Sequence, residues 1–447
     1  MHYDIAILGG GFGGSISALV AKQLGMEAVL IEKSTLPRFA IGESSTPQAD
    51  IMLDFIGNKY NLPQLKPFAT YGAWKNAYPN ILCGPKRGFT YINHLGNKEE
   101  LLVAANPNQH NADTHWHRAS FDAFLVEEIK KAGIAYYDNT NPMIKQGDPW
   151  IIEANAMECT ASFIIDATGG SNPLNIEQEN IFQTNTRALY SHFKHVCPWG
   201  QRYAREAHPY PCHESALHHL IDGGWMYVLH FDQGITSAGF ILKQEKYPLN
   251  NSEHPQDEWN RLMQAYPDIH WQFNSAEQLF PITQTKRLQR SAKHFAGNQW
   301  GMLPNAAYCI DPLHSTGNAH TLHCICRLLE TIHAGESLEL YTKRMRQEAT
   351  MIDQLVSGSY ACMNDFESFT NFVMLYFAGA DFSERNRRDG IDVGFMNSND
   401  QNFKQIISHW SAQAMKGHPI PNLADEIEPW NLAGLCDPSK QNMYDYA

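Results

Sequence analysis

The chain has little that would mark a secreted, membrane-spanning or zinc-binding protein. Its nine cysteines are dispersed and no two have C-x-x-C spacing, a pattern typical of reduced thiols rather than of a zinc site or a disulfide framework. No apolar run approaches the roughly 18 residues that a membrane helix requires. No basic segment with a cleavage site, as in a signal peptide, opens the sequence. We therefore expect a soluble, cytoplasmic protein.

Positive charge is also scarce. Lysine and arginine number 34 against 47 aspartates and glutamates, which gives a formal net charge of -13. This balance argues against a general affinity for nucleic acid or anionic membranes. Hydrophobic residues make up 43% of the 447 residues, enough for a large core and for two or three domains, or for one large α/β body with an insertion.

The N-terminus has the pattern of a βαβ unit. Residues 3–8 form a short apolar run typical of a buried parallel strand, residues 15–24 have helical periodicity, and residues 27–32 form a second apolar strand. The intervening G-x-G-x-x-G loop permits a tight turn, close approach of the backbone to a diphosphate, and close packing of helix on strand. The candidate cofactor-binding residues of this loop are Gly9, Gly11, Phe12, Gly13 and Gly14.

Two residues at the end of the second strand, Glu32 and Lys33, extend this Rossmann-type pattern. Glu32 lies about 20 residues beyond the loop, where an acidic side chain accepts a hydrogen bond from a ribose hydroxyl. Lys33, which follows it, is a further candidate contact. These positions predict dinucleotide binding but do not distinguish NAD from FAD. A second G-x-G-x-x-G is not visible, which argues against a dedicated nicotinamide domain.

Four further segments favour FAD. They are residues 37–47 (PRFAIGESSTP), 117–122 (HRASFD), 165–169 (IDATG) and 310–317 (IDPLHSTG). In this order they resemble motifs of the flavin-dependent halogenases, a family (tryptophan-halogenase-like) within the FAD-dependent monooxygenase superfamily. The resemblance covers roughly three quarters of the chain. The FAD contacts that it implies are Arg38, Gly42, Glu43, Ser44, Arg118, Ala167, Thr168, Gly169, Asn305, Asp311, Ser315, Thr316, Gly317 and Asn318.

The resemblance also implies a fold. We expect an α/β, glutathione-reductase-like FAD-binding fold with an inserted antiparallel substrate sheet and a helical C-terminal region. The FAD-binding domain is predicted at residues 1–180 and 285–335, and includes part of the substrate sheet. The substrate-binding sheet is predicted at residues 181–284, a stretch rich in His, Trp and Tyr, and a helical cap at residues 336–447.

Lys86 is the first candidate for the chemistry. It opens the segment K-R-G-F-T-Y, which resembles the strand start that carries the catalytic lysine of the halogenases. A lysine at this point can hydrogen-bond hypohalous acid or form a haloamine, and so present the halogen to the substrate. The structural alternative is an exposed lysine at a strand edge. Lys75 is a weaker rival, since its alignment breaks the Gly-x-x-aromatic spacing.

Residues 224–230 (GWMYVLH) stand where the halogenases carry W-x-W-x-I-P. Trp225 keeps the first tryptophan, Tyr227 replaces the second, and His230 replaces the proline. We treat Trp225 and His230 as candidate catalytic residues, with His230 as a general base near the flavin face. These departures favour a monooxygenase. His314 stands where tryptophan halogenases have a glutamate, which argues against tryptophan as the substrate.

The implied activity is an FAD-dependent oxidoreductase reaction in which reduced FAD and O2 are used to halogenate an electron-rich aromatic substrate with chloride or bromide. A separate flavin reductase would supply the reduced FAD. The alternative is hydroxylation or oxidation on the same fold without halogenation. For either reaction, the expected substrate is a small aromatic molecule or a group bound to a carrier protein or peptide. A third hypothesis is an FAD-binding protein without turnover.

The other histidines have strand-like spacings, so we expect no metal site.

Overall fold

The computed structural model describes residues 1–96, 98–104, 106, 108–154, 157–205, 208–437, 439 and 442. In chain order the helices are α1 (Phe12–Gln23), α2 (Pro47–Lys59), α3 (Tyr71–Ala77), α4 (Arg118–Lys131), α5 (Gly200–Tyr203), α6 (Pro255–Ala265), α7 (Pro267–Gln272), α8 (Pro304–Ala307), α9 (Gly317–His333), α10 (Glu339–Cys362), α11 (Phe366–Arg388), α12 (Gln401–Met415) and α13 (Ala424–Ile427). The strands are β1 (His2–Leu8), β2 (Ala28–Ile31), β3 (Cys83–Lys86), β4 (Gly88–Asn93), β5 (Glu100–Ala104), β6 (Asp113–Trp116), β7 (Ala135–Tyr137), β8 (Met143–Lys145), β9 (Trp150–Ala154), β10 (Met157–Asp166), β11 (Gln178–Glu179), β12 (Thr186–Lys194), β13 (Ala216–Ile221), β14 (Gly224–His230), β15 (Ile235–Lys243), β16 (Glu277–Gln278), β17 (Thr283–Gln284), β18 (Arg290–Ala292), β19 (Ala296–Gly297), β20 (Trp300–Met302) and β21 (Tyr308–Cys309).

A largely parallel sheet forms the first layer of the molecule. Strands β20, β10, β1, β2 and β7 are neighbours in this order and pair in parallel. Leu8 of β1 lies beside Asp166 of β10, so the glycine loop and the A-T-G segment leave the same end of the sheet. Ligands of such sheets bind outside the carboxyl ends of the strands. The predicted N-terminal βαβ unit is confirmed.

The second sheet is mostly antiparallel and has the strand order β16-β12-β15-β14-β13-β4-β5. Its strands β4 and β5 come from the N-terminal part of the chain, and β4 pairs in parallel with β13. One face of this sheet packs on α6 and α7 through a core that contains Trp259 and Ile269. The inserted antiparallel sheet is therefore confirmed. The two helices on it were not predicted from the sequence.

The C-terminal region is helical, as predicted. Helices α10, α11 and α12 pack on one another, and α9 packs on α1 and α2 of the N-terminal part. Residues beyond 437, apart from 439 and 442, lie outside the described part of the cap. The exact domain boundaries stay a prediction.

The described chain has two further global features. All nine cysteines carry free thiols, as their spacing predicts. None of the helices in the described ranges is both long and apolar enough to cross a membrane.

Candidate functional site

A cavity of about 430 Å³ lies where the parallel sheet, the antiparallel sheet and α9 meet. Trp225 lines it, together with most of the predicted cofactor contacts. Those contacts are Gly11, Phe12, Gly13, Arg38, Gly42, Glu43, Ser44, Arg118, Ala167, Thr168, Gly169, Asn305, Asp311, Ser315, Thr316, Gly317 and Asn318. Segments that are far apart in the sequence thus form one wall. Gly9, Gly14, Glu32 and Lys33 lie outside this wall, as do Lys86 and His230.

Gly9 and Gly14 shape the loop rather than face the cavity. Gly9 has a φ of 105°, and a Cβ atom there would lie 2.6 Å from the Ala167 carbonyl oxygen. A Cβ atom on Gly14 would lie 1.9 Å from the carbonyl oxygen of Gly9. Only glycine fits both positions. Because Gly9 and Gly14 have no side chains, the loop can turn tightly and bring Gly11 and Gly13 to the cavity wall at the start of α1.

Glu32 also supports the loop. Its Oε2 accepts a hydrogen bond of 2.6 Å from the backbone N–H of Gly10, and its Oε1 accepts one of 2.9 Å from Ser34. The adjacent Lys33 donates to the hydroxyl of Ser171 at 3.0 Å. These contacts link β2 to the glycine loop. The roles of Glu32 as a ribose acceptor and of Lys33 as a cofactor contact stay predictions.

Two guanidinium groups flank the glycine loop. Arg118 forms a bidentate ion pair with Asp122, at 2.9 and 2.8 Å, and donates to the carbonyl oxygen of Ile41 at 3.1 Å. A Cβ atom on Gly11 would lie 3.3 Å from Nη2 of Arg118 and 3.7 Å from Nη2 of Arg38. Two cations beside a glycine loop at the N-terminus of α1 favour a bound diphosphate.

Several polar atoms in the cavity wall have no partner. Glu43 Oε2, Ser44 Oγ and the Tyr227 hydroxyl are buried and make no hydrogen bond with the described residues. The other carboxylate oxygen of Glu43 lies 2.9 Å from Nε2 of His192. A buried polar group without a partner costs about 1–3 kcal/mol. The wall therefore fits a ligand that has its own hydrogen-bond donors and acceptors, as FAD has.

Asp311, the first residue of the D-P-x-x-S-T-G match, is fully engaged with its own chain. Its carboxylate accepts hydrogen bonds from Thr186 at 2.6 Å, from the Tyr360 hydroxyl at 2.9 Å and from the backbone of Leu313 at 3.1 Å. The indole N–H of Trp225 donates to the same Tyr360 hydroxyl at 2.8 Å. Burial raises the pKa of Asp311 to about 6. Asp311 thus joins β12 and α10 to the segment before α9 and stabilises this part of the cavity wall.

The strand that carries the altered tryptophan motif presents alternate residues to the cavity. Trp225, Tyr227 and Leu229 line the wall, as the period of two in a strand requires. His230 lies outside the wall, and its Nδ1 is 3.1 Å from the hydroxyl of Thr236. Burial lowers the pKa of His230 to about 3. His230 thus lies on the face of β14 opposite to Trp225, and its role as a general base stays a prediction.

Lys86 is buried immediately behind the wall. Its exposed fraction is 0%, so it is not the exposed strand-edge lysine of the alternative interpretation. Its ammonium donates to the carbonyl oxygen of Ser45, the residue after the wall residue Ser44. Nζ also lies 4.0 Å from the centroid of the Phe89 ring. Burial lowers the pKa of Lys86 to about 8.

Two other residues singled out by the sequence lie away from the wall. The ammonium of Lys75 forms an ion pair of 2.9 Å with Asp232, and 29% of the lysine side chain is exposed. His314 stacks on Tyr376 with ring centroids 4.4 Å apart, and its Nε2 lies 3.1 Å from the hydroxyl of Ser359. Lys75 is therefore a surface ion pair, and His314 is part of the packing beneath α10 and α11.

One group of metal-type ligands converges within the described ranges. Atoms of His320, Cys324 and Glu348 lie within 4.8 Å of one another. The Glu348 carboxylate is already paired with Arg327 at 2.7 Å and with His320 Nε2 at 2.7 Å. The guanidinium holds the pKa of Glu348 well below its ordinary value despite burial and repels a second cation. We interpret this group as a buried ion pair.

Sequence reasoning missed several wall residues, among them His218 and Arg290. Arg290 donates to the carbonyl oxygens of Gly169 at 2.7 Å and Asn305 at 2.5 Å, and so links two predicted cofactor segments. The alternation of β13 could have placed His218 on the cavity face. Nothing in the local sequence around Arg290 indicates its role, because its partners come from distant segments.

Comparison with known proteins gives a consistent result. The family model described as tryptophan halogenase matches residues 4–73. The chain is 28% identical over 407 residues to monodechloroaminopyrrolnitrin halogenase PrnC of Pseudomonas fluorescens, covering 85% of this chain and 71% of that protein. It is 25% identical over 346 residues to tetracycline 7-halogenase of Kitasatospora aureofaciens, covering 72% and 62%. The crystal structure of halogenase PltM in complex with phloroglucinol and FAD matches in fold, with a TM-score of 0.87, 21% identity and coverage of 98% of each chain.

Proposed function

We propose that the chain, which is similar to flavin-dependent halogenases over most of its length, is an FAD-dependent enzyme that uses O2 and chloride or bromide to halogenate an electron-rich aromatic compound. One observation carries this proposal. The glycine loop and the segments resembling the family motifs converge on a single cavity of about 430 Å³. This volume falls in the range of ligand and cofactor sites in proteins.

Different wall residues would bind different parts of FAD. The N–H groups at the start of α1, with Arg38 and Arg118, bind the diphosphate. The oxygens of Glu43 and Ser44 that have no partner in the described structure would hydrogen-bond the polar parts of the cofactor. The backbone N–H groups at the start of α9, at Gly317, would be available to the flavin or to a halide. When bound and reduced, FAD supplies the electrons that activate O2.

The remaining residues handle the halogen and exclude water. Trp225 and Leu229 give the antiparallel sheet an apolar face toward the cavity. We assign the halogen to Lys86, whose buried nitrogen donates to Ser45, the residue next to Ser44 of the wall. In this role the amine would hydrogen-bond or bind the electrophilic halogen and present it to the substrate. The substrate is a small aromatic molecule, free or bound to a carrier. A separate flavin reductase delivers the reduced cofactor, since the sequence has a single G-x-G-x-x-G loop.

A second candidate function is direct hydroxylation of the substrate. The observation that favours it is Tyr227, which lines the cavity at the position of the second tryptophan of the family motif. A polar group there makes the wall less apolar than a tryptophan would. Both functions use the same cofactor and oxygen, so the product decides between them.

The experiment is a single turnover with chemically reduced FAD. The FAD-loaded protein is reduced without oxygen and then mixed with aerated buffer, bromide and a panel of phenols and pyrroles. The products are analysed by mass spectrometry. A brominated product that requires bromide, O2 and protein supports the proposal. A hydroxylated product in the presence of bromide would support the second candidate. Adding NADH without a reductase should give no turnover, and adding a flavin reductase should give repeated turnover.

A further inference from the structure

The Glu43 carboxylate has one hydrogen-bond partner within the described ranges of the chain, and that partner comes from the antiparallel sheet. Nε2 of His192, on β12, lies 2.9 Å from Oε1 of Glu43. A carboxylate only accepts hydrogen bonds, so Nε2 carries the hydrogen and donates it. Both residues are 3% exposed. The charged group that Glu43 adds to the cavity wall is therefore oriented by a residue 149 positions away in the sequence.

Aromatic rings fix the direction of this hydrogen bond. The Phe39 ring meets the imidazole of His192 edge to face, with ring centroids 4.8 Å apart. Three further ring centroids lie 5.7 to 6.0 Å away, those of His117, Phe280 and Phe231. Because these rings come from four separate segments and protein interiors are closely packed, the imidazole cannot turn without displacing its neighbours.

The neighbouring hydroxyl groups do not share the role of His192. Ser237 of β15 is its cross-strand neighbour, and Tyr227 lines the cavity from β14. Both hydroxyls are buried, yet neither forms a hydrogen bond with any described residue, and the same holds for Oε2 of Glu43. A buried oxygen without a partner is destabilising, so Oε2 is the atom of this carboxylate that is left for a ligand.

The main chain around Glu43 is held by other residues. Trp116 donates its backbone N–H to the carbonyl oxygen of Glu43 at 2.6 Å, and Arg118 donates to the carbonyl oxygen of Gly42 at 3.3 Å. Asn318 of α9 donates to the same Gly42 oxygen at 3.2 Å. Loss of the imidazole should therefore free the side chain of Glu43 but leave this part of the wall in place.

We propose that His192 is a positioning residue of the cofactor site, which fixes Oε1 of Glu43 and so directs Oε2 toward a hydrogen-bond donor of FAD. FAD offers such donors in its hydroxyl groups, the N–H of its flavin ring and the amino group of its adenine. His192 itself lies outside the cavity wall, so it acts on the cofactor through Glu43. The inference rests on the proposed function only in that FAD occupies this cavity.

The test is a double-mutant cycle on FAD affinity, measured by calorimetric titration of the intact apoprotein. His192→Phe keeps a ring among its aromatic neighbours and removes the donor, and should weaken FAD binding about tenfold, as expected for a hydrogen bond to a charged group. Glu43→Ala should weaken it about tenfold or more. In the Glu43→Ala background, His192→Phe should change the affinity by less than about twofold, because the group through which it acts is gone.

A rescue variant and a matched control complete the design. His192→Gln places an amide N–H near the position of Nε2 and should bind FAD within about threefold of the wild type. His192→Asn carries the same amide on a shorter side chain and should lose affinity as His192→Phe does. The control is His219→Phe, at a buried ring whose Nε2 lies 2.7 Å from Oε1 of Gln272 on the other face of the same sheet. It should bind FAD like the wild type.

The inference is overturned if His192→Phe leaves the FAD affinity unchanged. It is also overturned if His192→Phe weakens FAD binding equally with and without the Glu43 carboxylate, as a general packing defect would do. If His192→Phe does not fold, His192→Asn takes its place in the cycle, with the same expected and contradicting results.

The affinity cycle and the halogenation assay fail independently. The cycle needs no halide, substrate or oxygen, so it tests His192 even if the wild-type protein hydroxylates its substrate or halogenates nothing. A wild-type protein that halogenates while the two substitutions act additively on FAD affinity contradicts this inference alone. A wild-type protein that binds no FAD contradicts both.

Discussion

The indole N–H of Trp225 donates a hydrogen bond of 2.8 Å to the hydroxyl of Tyr360. That hydroxyl donates in turn to Asp311 at 2.9 Å. The two bonds join the antiparallel sheet, the long helix α10 and the segment before α9 at one point of the cavity wall. The C-terminal helices are therefore part of the site and not only a cover over it.

Removal of this junction should destabilise the protein. Tyr360→Phe leaves the buried Trp225 N–H without an acceptor and removes one donor from Asp311. We expect the free energy of unfolding to fall by about 1–3 kcal/mol, measured by denaturant titration. The control is Tyr247→Phe, because the Tyr247 hydroxyl donates to a backbone carbonyl of the exposed Asp222; it should change stability by less than about 0.5 kcal/mol. Equal losses in both variants would contradict a special role for Tyr360.

Arg38 should contribute to FAD affinity more than to folding. Its side chain is 31% exposed, and its Nε lies 3.8 Å from the buried Glu32. The Glu32 carboxylate keeps its hydrogen bonds from the backbone of Gly10 and Ser34 when Arg38 is removed. Charged hydrogen bonds contribute about 1.5–3 kcal/mol, and we expect Arg38→Ala to weaken FAD binding about tenfold or more. Calorimetric titration of the apoprotein with FAD measures this. Arg261→Ala, at a side chain that is 53% exposed on α6, should bind FAD like the wild type. Unchanged affinity in Arg38→Ala would contradict the assigned diphosphate site.

Substitution of Glu43 should weaken FAD binding more than it lowers the stability of the protein. Its Oε2 has no partner in the described structure, so Glu43→Gln should weaken FAD binding about tenfold if that oxygen accepts from the cofactor. The comparison is Glu258→Gln, whose carboxylate is buried and paired with Arg187. Breaking that pair should cost about 3–5 kcal/mol of stability and leave the FAD affinity of the folded protein unchanged. FAD titration and denaturant unfolding on both variants distinguish the two cases. Unchanged FAD affinity together with lost stability in Glu43→Gln would contradict the assignment of Glu43 to the FAD site.

The buried His218 should make the protein less stable in mild acid. Burial lowers its pKa to about 3, below the ordinary value of about 6.5. Below about pH 6.5 the His218 ring therefore takes up a proton in the unfolded chain but not in the folded chain. Its contribution to the free energy of unfolding is fully present above about pH 6.5 and is lost as the pH falls toward about 3. Between pH 7 and 5 this single ring should account for about 2 kcal/mol of the decline in unfolding free energy. In His218→Phe, the decline over that range should be smaller by this amount. Parallel curves for both proteins would refute the assignment.

Local sequence patterns predicted the frame of the site well. The loop from Gly9 to Gly14, the helix after it and the strand before Glu32 follow from periodicity over neighbouring residues. The motif segments, which only the resemblance to a known family connects along the sequence, line one cavity. Tyr227 shares a face of β14 with Trp225 because strand residues alternate, and the same rule puts His230 on the opposite face.

Long-range pairings explain what the sequence did not reveal. The position of Asp113 opposite Lys86 depends on the register of β3 against β6. Arg290 and His192 meet Gly169 and Glu43 across more than a hundred residues. Such contacts leave no periodic signal along the chain. The helices at residues 255–272 were missed for a related reason, since the expectation of a sheet covered the whole stretch.

The most direct test of the account compares Lys86→Met with Lys75→Met in single-turnover bromination by the FAD-loaded, reduced protein. Both variants remove one lysine charge, but only Lys86 is buried behind the cavity wall. We predict that Lys75→Met brominates a phenol or pyrrole as the wild type does, and that Lys86→Met binds FAD normally, consumes O2 and forms no brominated product. Bromination that survives in Lys86→Met, or hydroxylation as the only reaction of the wild type, would contradict the account.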